Sequence, residues 1–206
     1  MTRPRPARAK TASERVRQPT EIRRRLIVDA ARTVIAERGL FATTMRDIAQ
    51  ASGVSVGTLT YHFTGIAEIL AEVLQGEMDS FYLPIVENAR GAPDATTALR
   101  LLVDGFFADD ERTVQHWRLW LDFWALASHV PRYGEWQSEI YRDLHGLIAS
   151  LLGRGAADGT LTVVEPARQA IEFVALLDGL VVQCYLPHPR LPAEQAREIL
   201  RAYGRG

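Results

Sequence analysis

The stretch TMRDIAQASGVSVGTLTYHF, residues 44–63, decides the fold because a helical apolar pattern stops at Ser52-Gly53 and restarts at once. Thr44 can cap the helix before this break, and Ser55 can cap the helix after it. Two helices joined by so short a turn must pack across each other, so the stretch predicts a helix-turn-helix. The apolar side chains that would lock the pair together are Ile48, Ala49, Val54, Leu59 and Phe63.

The second helix of the pair would turn its other side towards solvent. That side is small at its start, at Ser55 and Gly57, and aromatic at its end, at Tyr61. A slim first turn can approach base edges in the DNA major groove, and its free N–H groups can meet a phosphate. Basic residues upstream could follow the DNA backbone or the minor groove. We therefore predict these DNA-binding residues: Arg23, Arg24, Thr44, Arg46, Ser55, Val56, Gly57, Thr58, Thr60, Tyr61 and His62.

The net charge of -1 hides an asymmetry along the chain. Residues 1–66 hold 12 Lys and Arg against 5 Asp and Glu, a charge of +7, whereas the other 140 residues hold 12 against 20, a charge of -8. A basic block can be merely a solvated tail, but beside a helix-turn-helix it favours a polyanionic partner. Residues 1–18 contain almost no large apolar side chains, so we expect a disordered basic arm there.

The rest of the chain has helical apolar spacing in segments separated by Gly, Pro and Asp. Alternating polarity is confined to residues 160–164, which are too few to build a sheet. We predict an all-α fold of about nine helices. A three-helix DNA-binding domain would span residues 19–65, and a helical bundle for ligand binding and dimerisation would span residues 66–206. A helix from Ile66 to Phe81, kinked or ended by Pro84, would connect the two and act as a lever.

At the helix-turn-helix the sequence resembles the TetR family of transcriptional regulators. The residues that carry the resemblance are Thr44, Ile48-Ala49, Ala51-Ser52-Gly53-Val54-Ser55, Gly57-Thr58-Leu59 and His62-Phe63. The resemblance implies a homodimeric repressor that a small-molecule effector releases from a palindromic operator, with recognition helices about 34 to 36 Å apart. Thr60 and Ile66 stand where many members have Tyr and Lys, so we expect one phosphate contact to be missing.

All four tryptophans lie within 20 residues, from Trp117 to Trp136. Their helical spacing is typical of core packing, but the family resemblance implies an effector pocket in this domain. The predicted ligand-binding residues are Phe106, Trp117, Trp120, Phe123, Trp124, Tyr133 and Trp136. The stretch from residue 119 to residue 144 is similar to the BetI-like, choline-responsive branch of the family. This similarity implies an amine or quaternary ammonium effector, flanked by Asp104, Asp122 or Glu135, although a neutral hydrophobic effector fits the same tryptophans.

The segment from residue 166 to residue 186 is apolar nearly all round, which exceeds what one side of a bundle needs. A second subunit would cover the excess, and the resemblance implies a dimer through helices in this position. The predicted interface residues are Ile171, Val174, Leu177, Gly179, Val181 and Tyr185. We expect Asp178 to be hydrogen-bonded structurally, because a lone buried carboxylate is unfavourable.

Several classes of function lack support in the sequence. The single Cys184 excludes an intramolecular disulfide and a multi-cysteine metal site, and the five histidines lack zinc or di-iron spacing. We therefore expect no metal, no cofactor and no enzymatic activity. No apolar run reaches the roughly 18 to 20 residues of a membrane span, which predicts a cytoplasmic protein without a membrane partner. An activator, a corepressor-dependent regulator, and a helical enzyme or small-molecule carrier remain open alternatives.

Overall fold

The computed structural model describes residues 20–204, and every regular element in this range is helical, which confirms the predicted all-α fold. The helices are α1 (Thr20–Arg38), α2 (Met45–Ser52), α3 (Val56–His62), α4 (Ile66–Glu77), α5 (Leu83–Arg90), α6 (Ala95–Phe106), α7 (Glu111–Ala127), α8 (Pro131–Ala157), α9 (Pro166–Tyr185) and α10 (Ala193–Ala202). Because a π-helical turn, Met78–Tyr82, joins α4 to α5 without a break, these residues form nine helical rods. The predicted arm, residues 1–18, lies outside the described range.

Helices α1 to α3 form a small unit with its own apolar interior. The Thr44 side chain accepts the Asp47 N–H and the Asp47 carboxylate accepts the Thr44 N–H, so the predicted capping box starts α2. Gly53 ends α2 in the left-handed region, with φ of 67°, and this allows the sharp turn into α3. The side chains enclosed between the three helices include Ile27, Ala31, Ile48, Leu59 and Phe63.

Pro84 does not end the helix that precedes it, although the sequence predicted a kink or a stop there. Proline lacks the N–H that would bond the carbonyl four residues back, and its ring crowds that carbonyl. The π-helical turn directly before Pro84 shifts the bonding pattern, since the Leu83 N–H bonds the carbonyl of Met78 five residues earlier. The rod therefore continues from α4 through the turn into α5, and Phe81 of the turn points into the core.

Helices α6 to α10 enclose the second apolar core. Asp94 and Asp110 cap α6 and α7 through the N–H groups of residues 97 and 113. Helices α8 and α9 pack along each other, and Leu161 in the loop between them lies over Gly155. The aromatic side chains enclosed by the bundle include Phe106, Phe107, Trp117, Trp120, Phe123 and Phe173.

Polar contacts join the amino-terminal unit to the helices that follow it. The Asp122 carboxylate of α7 accepts the Leu40 N–H at 2.7 Å, in the turn between α1 and α2. Arg24 of α1 forms ion pairs with Glu68 and Glu72 of α4. The domain boundary at residue 65 stays a prediction. Between residues 20 and 204, none of the helices combines the length and the apolar character required to span a membrane.

Candidate DNA-binding surface and effector cavity

Helix α3 is held in place by its two ends and by one apolar side. The Ser55 Oγ accepts the Thr58 N–H at 3.0 Å and caps the start of the helix. Leu59 is completely buried and Phe63 is 1% exposed, so this side of α3 is fixed against α1 and α2. The opposite side is thereby turned outward.

The outward side of α3 forms a ridge of small residues with an aromatic end. Tyr61 is 80% exposed and Val56 is 41% exposed, while Gly57 and Thr60 are also exposed. The ridge borders an open groove of about 640 Å³ whose lining is Thr20, Arg23, Ser55, Gly57, Thr58, Tyr61 and His62. Thr20 of this groove is not among the predicted DNA-binding residues.

The hydroxyl groups on the ridge already have partners inside the protein. The Thr58 Oγ1 lies 2.9 Å from the Ser55 Oγ, and the Thr60 hydroxyl donates to the carbonyl of Gly57 at 3.1 Å. Thr44 is exposed, but its hydroxyl donates to Asp47 within the capping box. Arg46 is exposed on α2.

Arg24, a predicted DNA contact, is engaged in contacts inside the protein. Its guanidinium donates to Glu68, Glu72 and the carbonyl of His62, and it lies 4.2 Å over the ring of Phe63. The hydrogen bond from Arg24 is the main reason why the pKa of Glu68 falls to about 2. Arg24 thus fastens α1 to α4, whereas its neighbour Arg23 lines the groove beside α3.

A separate, partly open cavity lies in the bundle between α6, α7, α8, α9 and the π-helical turn. Four predicted ligand residues line it, namely Phe106, Trp117, Trp120 and Trp124. The other three, Phe123, Tyr133 and Trp136, do not line it. The Phe123 ring contacts the rings of Tyr133 and Trp136, and the three form an aromatic layer behind Trp120. The lining residues that were not predicted are Tyr82, His116, Gln137, Ile140, Tyr141, Leu144, Leu177 and Asp178.

The polar part of the cavity wall is centred on Asp178 of α9. Its carboxylate accepts the Tyr141 hydroxyl at 2.7 Å, and burial raises the pKa of Asp178 to about 6. Two further polar atoms, Trp124 Nε1 and Gln137 Oε1, are buried without a partner among the described residues. An unpaired donor and an unpaired acceptor in one cavity wall are suited to a ligand that carries a polar group.

The three carboxylates predicted to flank the effector lie elsewhere. Asp104 pairs with Arg201 and Arg100, and Asp122 holds the Leu40 backbone. Glu135 is exposed on α8. The carboxylate that reaches the cavity is Asp178, which the sequence reasoning had assigned a structural role. Only the tertiary fold brings α9 against the tryptophans of α7, so the linear pattern carried no signal for this pairing.

The cavity volume is about 30 Å³, close to the share of one water molecule in the liquid. Walls of this kind must move before a larger molecule can enter. The surrounding side chains are aromatic rings packed at tilted angles, such as Trp117 at 6.4 Å from Trp124 and Trp120 at 6.2 Å from Trp136 between centroids. Any ligand therefore has to displace packed rings.

The outer side of α9 differs from the predicted dimer interface. Val174, Leu177, Val181 and Tyr185 are at most 5% exposed within one protomer, so they pack in its own core. Ile171 and Gly179 are exposed, as predicted for residues that a partner could reach. The remaining exposed apolar side chains along this side are Ala175, Val182 and Leu186.

Within residues 20–204, no group of three or more His, Cys, Asp or Glu side chains is arranged to hold a metal ion. Cys184 is a buried free thiol.

Comparisons with known proteins agree with this arrangement. Residues 27–73 match the family described as bacterial regulatory proteins of the tetR family, and residues 95–205 match the carboxy-terminal domain of BetI-type transcriptional repressors. The HTH-type transcriptional regulator BetI of Cronobacter sakazakii is 29% identical over 181 residues, which cover 86% of this chain and 87% of the relative.

Solved structures give the same picture. A transcriptional regulator from Saccharomonospora viridis, crystallised in complex with choline, superposes with a TM-score of 0.83 at 25% identity, covering 89% of this chain and 95% of the other. A regulator from Pseudomonas aeruginosa PAO1 shares the fold, with a TM-score of 0.72 at 24% identity and 90% coverage of both chains. The BetI-type match alone spans more than half of the 206 residues. The chain therefore belongs to the TetR family of transcriptional regulators and carries the carboxy-terminal domain of the BetI-type repressors.

Proposed function

We propose that the protein is a homodimeric repressor that binds a palindromic operator through α3 and leaves it when a small organic cation enters the aromatic cavity. The observation that carries the proposal is the presence, in one chain, of an exposed narrow helix and a tryptophan-lined cavity with a buried carboxylate. A ligand can regulate DNA binding only through its different affinities for two conformations, and a cavity that must open provides such a difference.

The DNA-binding part of the proposal rests on the groove beside α3. Gly57 leaves the first turn slim, Tyr61 extends from the last turn, and Arg23 borders the same groove. Helices of this shape read base edges while adjacent basic and hydroxyl groups hold phosphates. The proposed contact residues are Arg23, Thr44, Arg46, Ser55, Val56, Gly57, Thr58, Thr60, Tyr61 and His62.

The effector part rests on the chemistry of the cavity wall. Tryptophan faces attract organic cations, and Asp178 supplies a negative charge beside them. The Saccharomonospora viridis regulator holds choline, and the likeness to it supports a quaternary ammonium effector here. Trp124 Nε1 and Gln137 Oε1 could donate to and accept from a hydroxyl group on the same ligand.

The dimer part rests on the outer side of α9. Ile171 is 55% exposed and Leu186 is 47% exposed, and they flank Gly179, where a Cβ would meet no atom within 4 Å. Exposed apolar side chains around a glycine allow two helices to pack closely. We expect Val182→Glu to shift the protein towards monomer in sedimentation. Ile199→Glu is the matched control, because Ile199 lies on α10 and is 39% exposed, close to the 36% of Val182, and it should leave the dimer intact.

The test begins with operator duplexes selected from random DNA by the purified protein. Their affinity is then measured at increasing salt, with and without three ligands: choline, its neutral isostere 3,3-dimethylbutan-1-ol, and ethyltrimethylammonium, which lacks the hydroxyl group. We expect a steep fall of affinity with salt, because phosphate contacts release counterions. Choline should weaken operator binding far more than the neutral isostere. A salt-independent affinity would exclude the DNA part, and equal action of the two isosteres would favour a neutral hydrophobic effector.

The direction of control is tested in a reporter strain. Expression from the selected operator should rise when choline is supplied. Expression that falls with choline would identify a corepressor-dependent regulator, and expression that requires the protein would identify an activator.

A further inference from the structure

Glu77, the last residue of α4, is a completely buried carboxylate that the DNA-binding surface and the cavity do not use directly. It accepts hydrogen bonds from Arg32 Nε at 2.5 Å, from Arg112 Nη1 at 2.8 Å and from His116 Nδ1 at 2.7 Å. Burial acts to raise the pKa of Glu77, but the bonds and charges of His116 and Arg32 outweigh it and lower that pKa. The group is therefore ionised, and its partners come from two different helices, α1 and α7.

On one side, Glu77 is fastened to the DNA-binding unit. Arg32 lies in α1, and its Nη1 also donates to Gln115 of α7 at 3.1 Å. Two turns earlier on α1, Arg24 is bound to Glu68 and Glu72 of α4. Because α1 is tied to α4 near both ends of the contact, a displacement of α4 would be passed on to α1.

On the other side, Glu77 is fastened to the effector cavity. The His116 ring that bonds Glu77 also lines the cavity. That ring is stacked between Phe81 of the π-helical turn, at 3.8 Å between centroids, and Trp120 of the cavity wall, at 5.4 Å. A cavity of about 30 Å³ is too small for an organic cation, so its wall, which includes Trp120 and His116, must move to admit one.

The cluster also has an unused hydrogen-bond donor. Arg32 Nη2 is buried without a partner among the described residues. A buried donor left unpaired is unfavourable, so a second arrangement that pairs Arg32 Nη2 would gain a hydrogen bond. Two discrete arrangements of one packed cluster are what a coupling element requires.

We propose that the Arg32–Glu77–His116 cluster is the relay through which opening of the aromatic cavity is transmitted to α1 and α4, and so to the spacing of the recognition helices. This inference rests on the proposed effector-released repressor. Arg32 and Glu77 are positioning residues, since they line neither the cavity nor the groove beside α3, whereas His116 also lines the cavity.

The experiment uses choline as the probe and the selected operator duplex. Operator affinity is measured with and without saturating choline, and choline affinity is measured separately from tryptophan fluorescence. In the unmodified protein choline should weaken operator binding by about 5- to 150-fold, the usual range of coupling between sites. In Arg32→Met that factor should fall to about twofold or less, while choline still binds and the choline-free protein still binds DNA.

Arg112→Met is the matched control. It removes an arginine from the same carboxylate, but Arg112 belongs to α7, so the His116–Glu77–Arg32 connection to α1 remains. We expect it to keep most of the coupling. His116→Phe is a second test that preserves the stack between Phe81 and Trp120 while removing the bond to Glu77, and it should also uncouple the sites.

The outcomes separate the two proposals. If choline fails to bind the unmodified protein or does not weaken its operator binding, the proposed function is wrong and the relay falls with it. If choline weakens operator binding of Arg32→Met and His116→Phe by the same factor as in the unmodified protein, the relay alone is wrong. Equal loss of coupling in Arg112→Met would also overturn it, because the connection to α1 would then not be the part that matters.

Discussion

Replacing Asp178 by Asn removes a negative charge from the cavity wall and keeps an oxygen that can accept the Tyr141 hydroxyl. Burial raises the pKa of Asp178 to about 6 from an ordinary value of 3.8. This difference corresponds to about 3 kcal/mol in disfavour of the charged form. Because Asp178 keeps some solvent contact, we expect the variant to be more stable than the unmodified protein at pH 7.5 by about 1 to 3 kcal/mol.

The pH dependence of this gain follows from the direction of the pKa shift. Above pH 6 the folded protein carries a charge that burial disfavours, so the difference between the two proteins is fully present. Below about pH 3.8 the carboxyl is protonated in both the folded and the unfolded chain, and the difference disappears. Urea unfolding between pH 4 and pH 8 at one protein concentration measures this profile, since association would otherwise shift the midpoint.

The same variant should lose cation binding while it gains stability. Titration of tryptophan fluorescence should give a much weaker choline affinity for Asp178→Asn, whereas the neutral isostere should bind both proteins alike. Asp143→Asn, at an exposed carboxylate on α8, is the control and should change neither property. A variant that is no more stable than the unmodified protein at pH 7.5, or that gains equally at pH 4.5 and pH 7.5, would refute the assignment of a buried charge to this wall.

Three further predictions concern DNA contacts and packing. Arg23→Met should reduce the magnitude of the slope of log affinity against log salt by about 2 for a dimer, about 1 for each subunit, and an unchanged slope would remove Arg23 from the DNA surface. Arg24→Met should lower the urea midpoint without changing that slope, because its partners are Glu68 and Glu72. Gly155→Ala would place a Cβ against the side chain of Leu161 and should lower the free energy of unfolding by about 1 to 3 kcal/mol. Gly179→Ala meets no atom of its own protomer, so it should weaken only the dimer, which a dilution series would reveal.

The helix-turn-helix could be predicted from the sequence because its determinants are local. Thr44 and Ser55 cap helices by accepting N–H groups three residues on, and Gly53 supplies a left-handed residue at the turn. The apolar positions on both helices follow from the 3.6-residue period. Every one of these features acts within a few residues of its own position, so no knowledge of the tertiary fold was needed.

The candidate effector site could be predicted only in part, because its members are distant in the sequence. The tryptophan cluster identified α7 as one wall, but spacing along one helix cannot tell which rings face a cavity and which pack behind it. Asp178 meets Tyr141 across 37 residues, and Arg24 meets Glu72 across 48. These pairings depend on how α1, α4, α8 and α9 are arranged, which the linear pattern does not contain.

Helix α9, the proposed dimer helix, illustrates a different limit. An apolar pattern that encircles a helix predicts that both sides are covered, but it does not say which side faces the same protomer. Val174 and Val181 are buried within the protomer, while Ile171 and Val182 lie on the outer side. The number of apolar residues on α9 predicts a partner, and that stays a prediction. The orientation of these residues follows from the packing of α9 on α8.

The closed cavity and the buried charge of Asp178 together explain why ligand entry should change the conformation of the protein. An empty apolar cavity of 150 Å³ would be unfavourable by about 3 to 4 kcal/mol, so the aromatic wall collapses to about 30 Å³ instead. Opening the wall at Trp120 would disturb its stack with His116, and His116 is the residue that bonds Glu77. Under the proposed relay, a cation that stabilises the open wall, through tryptophan faces and Asp178, would thereby favour a different position of α4. The free energy needed to open the cavity reduces the apparent affinity for the effector. The same free-energy difference between the open and closed states would give the effector its influence on DNA binding.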